Sequence, residues 1–246
     1  MHTQGIFEFE SVNLFSIFGW SHSFLLINLK TVFATWIAMG IIIVFSLICR
    51  YYLSYSTGYL RYSVISSIKA FRDLFVQAIG KFEYLHFSYL LALFVFILIC
   101  NTISIIPWVD EPTSDINTPL ALGILSFIYT QVSSIYSHGA LEYMKEYFRP
   151  FPFMFPLHLI GNISNVVSIS FRLFGNIFGG AIIVKLYTQF ISHTFLYEML
   201  GILSGSNILV TIFFSVFEGA IQAFVFTMLA MTYLSLAIGH EEEMPS

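Results

Sequence analysis

Two long, almost uncharged stretches near the C-terminal end restrict what this chain can fold into. Between residues 150 and 239 the sequence has four charged side chains, namely Arg172, Lys185, Glu198 and Glu218. A soluble domain carries about 25% charged residues, whereas this 246-residue chain carries 10% and is 57% hydrophobic. Uncharged apolar runs of about 20 residues or more are typical of membrane-spanning helices. The sequence therefore predicts an all-α polytopic membrane protein with a single membrane domain over residues 1–246.

About five membrane helices and one amphipathic surface helix are predicted. After an N-terminal segment at residues 1–28, the region 29–138 holds three spans, the third of them more polar: about Thr31–Cys49, Phe87–Ile106 and Thr118–Tyr136. Over about residues 62–82, apolar side chains recur at spacings of three and four, and basic residues cluster around them. This pattern predicts an amphipathic helix on the membrane surface.

The region 153–240 is predicted to form a hairpin of two long antiparallel helices, at about Phe155–Phe190 and Ser206–Gly239. At 1.5 Å per residue each helix would be ~50 Å long. That exceeds a hydrocarbon thickness of ~30 Å, so the helices must tilt. Four shorter spans are the alternative, but no charged loop interrupts either stretch.

The distribution of basic residues predicts the orientation. With the N-terminus outside, the two inner loops contain seven of the ten Lys and Arg residues, whereas the outer segments contain none. Because basic residues are retained on the cytoplasmic side, we expect the segment 1–28 outside, and the amphipathic helix and the C-terminus in the cytoplasm.

The arginine of the first long stretch marks the candidate site. A guanidinium cannot be deprotonated in a protein, and near the bilayer centre it costs about 2.5–3.5 kcal/mol on insertion scales. Such a residue usually marks an ion-handling site or a water-lined path, although a snorkelling or structurally paired arginine is the alternative. If the hairpin turns near residues 197–198, Arg172 comes level with Gln222, and Asn176 comes level with Glu218.

Each of these helices then presents two polar groups on one face, because Arg172 and Asn176, like Glu218 and Gln222, are four residues apart. Serine side chains, including Ser168 and Ser215, approach from either side. A carboxyl group can take up and release protons, so Glu218 is a candidate relay. A buried Arg–Glu ion pair that only locks the hairpin is the competing explanation.

Other classes of function find little support in the sequence. It has no phosphate-binding loop, no nucleophile elbow and no His/Cys cluster at metal-ligand spacing. We therefore expect no catalytic site of its own, no metal, no cofactor and no nucleic-acid partner. Cys49 and Cys100 are interpreted as small hydrophobic residues rather than a disulfide. A self-contained channel or secondary transporter is the alternative, although no convincing internal repeat is present.

Several motifs in order resemble subunit a of F-type ATP synthases. They are Asn101–Pro107, Pro112–Thr118, Arg172–Asn176 and Ile221–Thr227, and the likeness extends over about residues 85–240. The resemblance implies the stator half of a proton-translocating Fo motor, in which an arginine faces the carboxylates of a rotating c-ring and separates two aqueous half-channels. It also implies a peripheral-stalk subunit b as partner and a bacterial plasma (inner) membrane, or alternatively an organellar inner membrane.

Carried over by position, the resemblance makes Arg172 the essential arginine, with Asn176, Glu218 and Gln222 near it in the outer half-channel. Asp115 and Glu198 are weaker candidates for the mouth of that channel. Further candidates for half-channel lining are His158, Asn162, Ser168 and Ser215. The chain departs from the family pattern where acidic residues are frequent, at His158, Asn162 and Ala181, so the group that serves the inner half-channel is open.

Overall fold

A computed structural model describes most of the chain, as residues 12–13, 26–27, 29–55, 58–106, 111–139, 141, 143, 155–192, 209–210 and 212–239. Six helices dominate this part: α1 Leu29–Tyr55, α2 Tyr59–Ile79, α3 Tyr84–Thr102, α4 Asn117–His138, α5 Phe155–Ser192 and α6 Phe213–Ile238. Within the described residues all of these except α2 are long and apolar enough to cross a membrane. The prediction of an all-α polytopic membrane protein with five spans is confirmed.

Shorter elements complete the architecture. Two 3₁₀ turns, Ile103–Ile105 and Pro112–Ser114, lie between α3 and α4. Near the N-terminus Val12–Asn13 and Leu26–Ile27 pair as two antiparallel strands. The first residues of α6, Phe213–Glu218, form a π-helix, and an α-helix continues over Gly219–Ile238.

The 38 residues of α5 form one continuous helix. At 1.5 Å per residue it is ~57 Å long, well beyond the hydrocarbon thickness. The prediction of one long helix, rather than two short spans, is therefore confirmed for the first of the two long stretches. The predicted hairpin tip near 197–198 lies outside the described residues.

The core forms around α6, which packs against α3 and α4, and α4 packs in turn against α5. Its fully buried side chains include Leu90 and Ile97 of α3, Leu173 of α5, and Phe226 and Met231 of α6. These helices are apolar on most faces, so they can be buried from several sides. The bundle therefore fixes the relative positions of the α5 and α6 residues that form the candidate site.

Helix α2 is amphipathic as predicted, but part of its apolar face packs on the protein. Phe71 and Phe75 are buried in the core, and the Ser235 hydroxyl of α6 donates a hydrogen bond of 2.7 Å to the Ala78 carbonyl oxygen. Ile68 of α2 and Phe82, which follows the end of the helix, are exposed. The second half of α2 is thus docked on the protein. An apolar stripe of a helix can pack against another helix as well as against lipid.

Candidate functional site

A hydrogen bond between two amide side chains joins α5 to α6. Asn176 Nδ2 donates to Gln222 Oε1 over 2.7 Å. Gln222 is 2% exposed, and its Nε2 group has no hydrogen-bond acceptor among the described residues. A buried donor without a partner costs about 1–3 kcal/mol. The seam between α5 and α6 is therefore polar, and one of its buried hydrogen-bond donors has no acceptor among the described residues.

The observed pairing corrects the predicted register of the hairpin. Arg172 was expected level with Gln222, and Asn176 with Glu218. Instead Asn176 pairs with Gln222, and Glu218 lies beside Gly180. The register is displaced by four residues, which is one helical turn. Hydrophobic periodicity defines the face of a helix but not its axial position, so the sequence could not fix this shift.

Glu218 ends the π-helical segment and lies half-buried against α5. A Cβ atom at Gly180 would be 3.3 Å from Glu218 Oε2 and 3.1 Å from Phe214 Cδ1. The missing side chain at Gly180 therefore makes room for the carboxylate. Isolated π turns within α-helices occur frequently at functional sites.

Arg172 lies on the exposed side of α5, while the adjacent Leu173 is fully buried. Across the part of the chain that the structure describes, Arg172 has no hydrogen bond and no ion pair. Glu218 lies level with Gly180, eight residues along α5, or ~12 Å from the level of Arg172. The competing explanation, a buried Arg172–Glu218 pair that locks the hairpin, does not describe this arrangement.

Among the two serines, Ser215 is buried in the π-helical segment, whereas Ser168 is exposed on α5. Asp115 accepts hydrogen bonds from the Thr31 hydroxyl at 3.1 Å and from the backbone N–H of Asn117 at 3.1 Å. It therefore ties α1 to the start of α4. The candidate Glu198 lies outside the described residues.

A cavity of about 270 Å³ opens between α4, α5 and the end of α6. His158 and Asn162, one helical turn apart on α5, both line it. On the opposite wall, α4 contributes a set of polar residues that the sequence analysis did not single out: Ser126, Thr130, Gln131 and Ser134. The only sequence signal for them was the polarity of the third span.

Two buried hydrogen bonds in series lie next to Glu218, and the sequence did not predict them. Thr113 Oγ1 donates to Asn101 Oδ1 over 2.8 Å, and Asn101 Nδ2 donates to the Gly219 carbonyl oxygen over 3.1 Å. Thr113 and Asn101 are both 0% exposed. They belong to two of the motifs that carry the family resemblance.

Comparison with known proteins shows which family the chain resembles over most of its length. The chain is 33% identical to ATP synthase subunit a of Moorella thermoacetica, over 84% of this chain and 89% of that protein. It is 32% identical to the subunit a of Geotalea uraniireducens, over 84% and 87% respectively. It is also 33% identical to the ATP synthase subunit a of Propionigenium modestum, described as sodium ion specific, over 69% and 60%. A family model described as ATP synthase A chain matches residues 32–235, and the chain therefore belongs to the ATP synthase A chain family.

Proposed function

We propose that this chain is the stator subunit through which protons cross the Fo motor of an ATP synthase. The observation that carries the proposal is Arg172, a cation on an exposed face of α5 that no described side chain neutralises. A guanidinium in a membrane helix needs a neutralising anion, and the described residues supply none. A carboxylate on each subunit of a rotating c-ring would supply it repeatedly.

The outer half-channel would run along the α5–α6 seam. Glu218 would exchange protons with water there, and the unpaired Nε2 donor of Gln222 would hold the last water or the arriving carboxylate. Asn176 would orient that donor through its 2.7 Å hydrogen bond to Gln222 Oε1. The glycine at 180 would keep the space beside Glu218 open.

The inner half-channel would begin in the 270 Å³ cavity between α4, α5 and α6. With the N-terminus outside, the cavity lies toward the cytoplasm, because it is lined near the end of α4, the beginning of α5 and the end of α6. His158 and Asn162 precede Arg172 by 14 and 10 residues, ~21 and ~15 Å along α5. Arg172 would therefore separate the two channels, and His158 would serve where the family often has an acidic residue.

This proposal places the chain in a bacterial plasma membrane, as a multi-pass subunit with a cytoplasmic C-terminus, next to the c-ring and subunit b. An organellar inner membrane is the second candidate location. A self-contained channel or transporter is the competing function. Purification separates the two, since a stator subunit should co-purify with a c-ring and transport no ions on its own.

The test is the replacement of Arg172 in the assembled complex. Arg172→Ala should reduce ATP-driven proton pumping by roughly a hundredfold, the scale of losing one preorganised charge. Arg172→Lys should also be severely impaired, because an ammonium does not reproduce the guanidinium. The matched control is Arg61→Ala, which removes another exposed arginine, on α2. Near-normal pumping in Arg172→Ala vesicles would overturn the assignment.

The identity of the ion is tested in the same vesicles. We expect ATP-driven acidification to be independent of added sodium, as for a proton carrier. Uptake of labelled sodium, with acidification only when sodium is absent, would instead group the complex with a sodium-specific relative such as the Propionigenium modestum protein.

A further inference from the structure

We propose that Asn101 and Thr113 position Glu218 for ion transfer by holding the backbone of the residue that follows it. The inference rests on the proposed role of Glu218 in the outer half-channel. It concerns two side chains that come from different elements, the end of α3 and the 3₁₀ turn before α4. Neither is titratable, so neither can carry a proton itself.

The hydrogen bonds run in one direction. The Thr113 hydroxyl donates to Asn101 Oδ1, which fixes the orientation of the amide group. The other end of that amide, Nδ2, then points at the Gly219 carbonyl oxygen. Because all three groups are buried, an unmade bond in this chain would leave a polar group unpaired in an apolar surrounding, at a substantial cost.

Close packing reinforces the hydrogen bond. A Cβ atom at Gly219 would lie 2.9 Å from Asn101 Cβ, so only a glycine lets α6 approach α3 this closely. The contact falls where the π-helical segment ends and the regular α-helix begins. A π turn is less favourable than a continuous α-helix, so it requires support from its surroundings at this point.

Glu218 is therefore held on two sides. Its backbone is fixed through the adjacent Gly219, which is anchored to α3, and its carboxylate faces the space left by Gly180 on α5. A rotation of the Gly219 peptide would swing the Glu218 side chain away from the α5–α6 seam. Asn101 and Thr113 thus determine where the carboxylate stands relative to Asn176 and Gln222.

The experiment measures passive proton conduction per assembled complex in vesicles. Thr113→Val keeps the shape of the side chain and removes the hydroxyl donor, and it should lower conduction about tenfold, the scale of one buried hydrogen bond. Thr113→Ser restores the donor and should stay within about twofold of the parent protein. Thr227→Val is the matched control, because among the described residues the buried Thr227 hydroxyl bonds only to the Ala223 carbonyl of its own helix.

The same substitution in a Glu218→Gln protein distinguishes a role that acts through Glu218 from a purely structural role of Thr113. If Thr113 acts through Glu218, then Thr113→Val should cause no further loss of conduction in a Glu218→Gln protein. An equal loss in both backgrounds would overturn the inference. Normal conduction in Thr113→Val, together with impaired conduction in Glu218→Gln, would also overturn the inference. If neither Thr113→Val nor Thr113→Ala assembled, Thr113 would be a structural residue and the inference would again be overturned. Normal conduction in Glu218→Gln would instead contradict the proposed function.

Discussion

A methyl group added at Gly219 should separate α3 from α6 and break the hydrogen bond between them. The Cβ of Gly219→Ala would lie 2.9 Å from Asn101 Cβ and 3.5 Å from the Asn101 carbonyl carbon and oxygen. Carbon atoms pack best at about 3.5–4.0 Å, so the helices must move apart by roughly 0.6–1 Å. The Asn101 Nδ2 to Gly219 oxygen distance, 3.1 Å here, would then leave the hydrogen-bond range.

The cost follows from these two effects. Overpacking a well-packed contact costs about 1–3 kcal/mol, and leaving the buried amide unpaired costs about 1–3 kcal/mol. Alanine is favoured over glycine in a helix by up to about 1 kcal/mol. We therefore expect Gly219→Ala to weaken the α3–α6 contact by about 3 kcal/mol, which is about a hundredfold in the local opening equilibrium.

Cys100 reports on that opening indirectly, because it lies next to Asn101 on α3 but packs against Ala38 of α1 rather than against α6. Its side chain is 0% exposed, it precedes Asn101, and it packs against Ala38 and Ile103. In a Cys49→Ser background it is the remaining thiol of the chain. The rate at which a membrane-permeant maleimide labels Cys100 in the assembled complex should rise between about tenfold and a hundredfold in Gly219→Ala.

Gly40→Ala is the matched control, because a Cβ at Gly40 has no atom within 4 Å. That variant should label at the rate of the parent protein. If Gly219→Ala labels no faster than Gly40→Ala, then the α3–α6 contact does not depend on this close approach, and position 219 does not require a glycine.

Three further predictions concern the site and its support. Glu218→Gln should lower passive proton conduction more than it lowers the amount of assembled complex, and unchanged conduction would contradict the relay role. Gly180→Ala should reduce conduction several-fold, because its methyl group would lie 3.3 Å from Glu218 Oε2, whereas Gly179→Ala, with open space around it, should not. Phe75→Ala should cost about 3–5 kcal/mol of packing and release α2 from the bundle, which limited proteolysis between α1 and α2 would detect as faster cleavage.

Much of the fold could be predicted because charge-free length is a direct physical requirement of a membrane helix. That requirement gave the five spans and the continuous α5. Amphipathic periodicity also gave α2, but it did not reveal that Phe71 and Phe75 enter the core. The composition of a helix face does not show whether it packs against lipid or against an apolar protein surface. The docking of α2 on the bundle therefore could not be predicted from the sequence.

For the candidate site residues, the sequence predicted which helices face each other but not their axial register. The sequence placed Arg172, Asn176, Glu218 and Gln222 on facing helices, yet the register was wrong by one turn. The π-helical segment carries no sequence signature of its own. The partners Thr113 and Asn101 are separated from Gly219 by more than 100 residues in the chain, so only the folded structure brings them to it.

The arrangement of Arg172 decides which kind of site this is. A cation that stabilised the chain would be paired within it, since an unpaired one costs about 2.5–3.5 kcal/mol in a membrane helix. Here the carboxylate of Glu218 on the facing helix lies beside Gly180, about two turns along α5 from Arg172 and too far for direct contact with it. The described part of the chain thus keeps Arg172 and Glu218 apart, at a cost in stability. Under the proposed function, a partner that meets each of the two groups in turn would account for this separation, whereas a permanent neutralising partner would hold both groups in place.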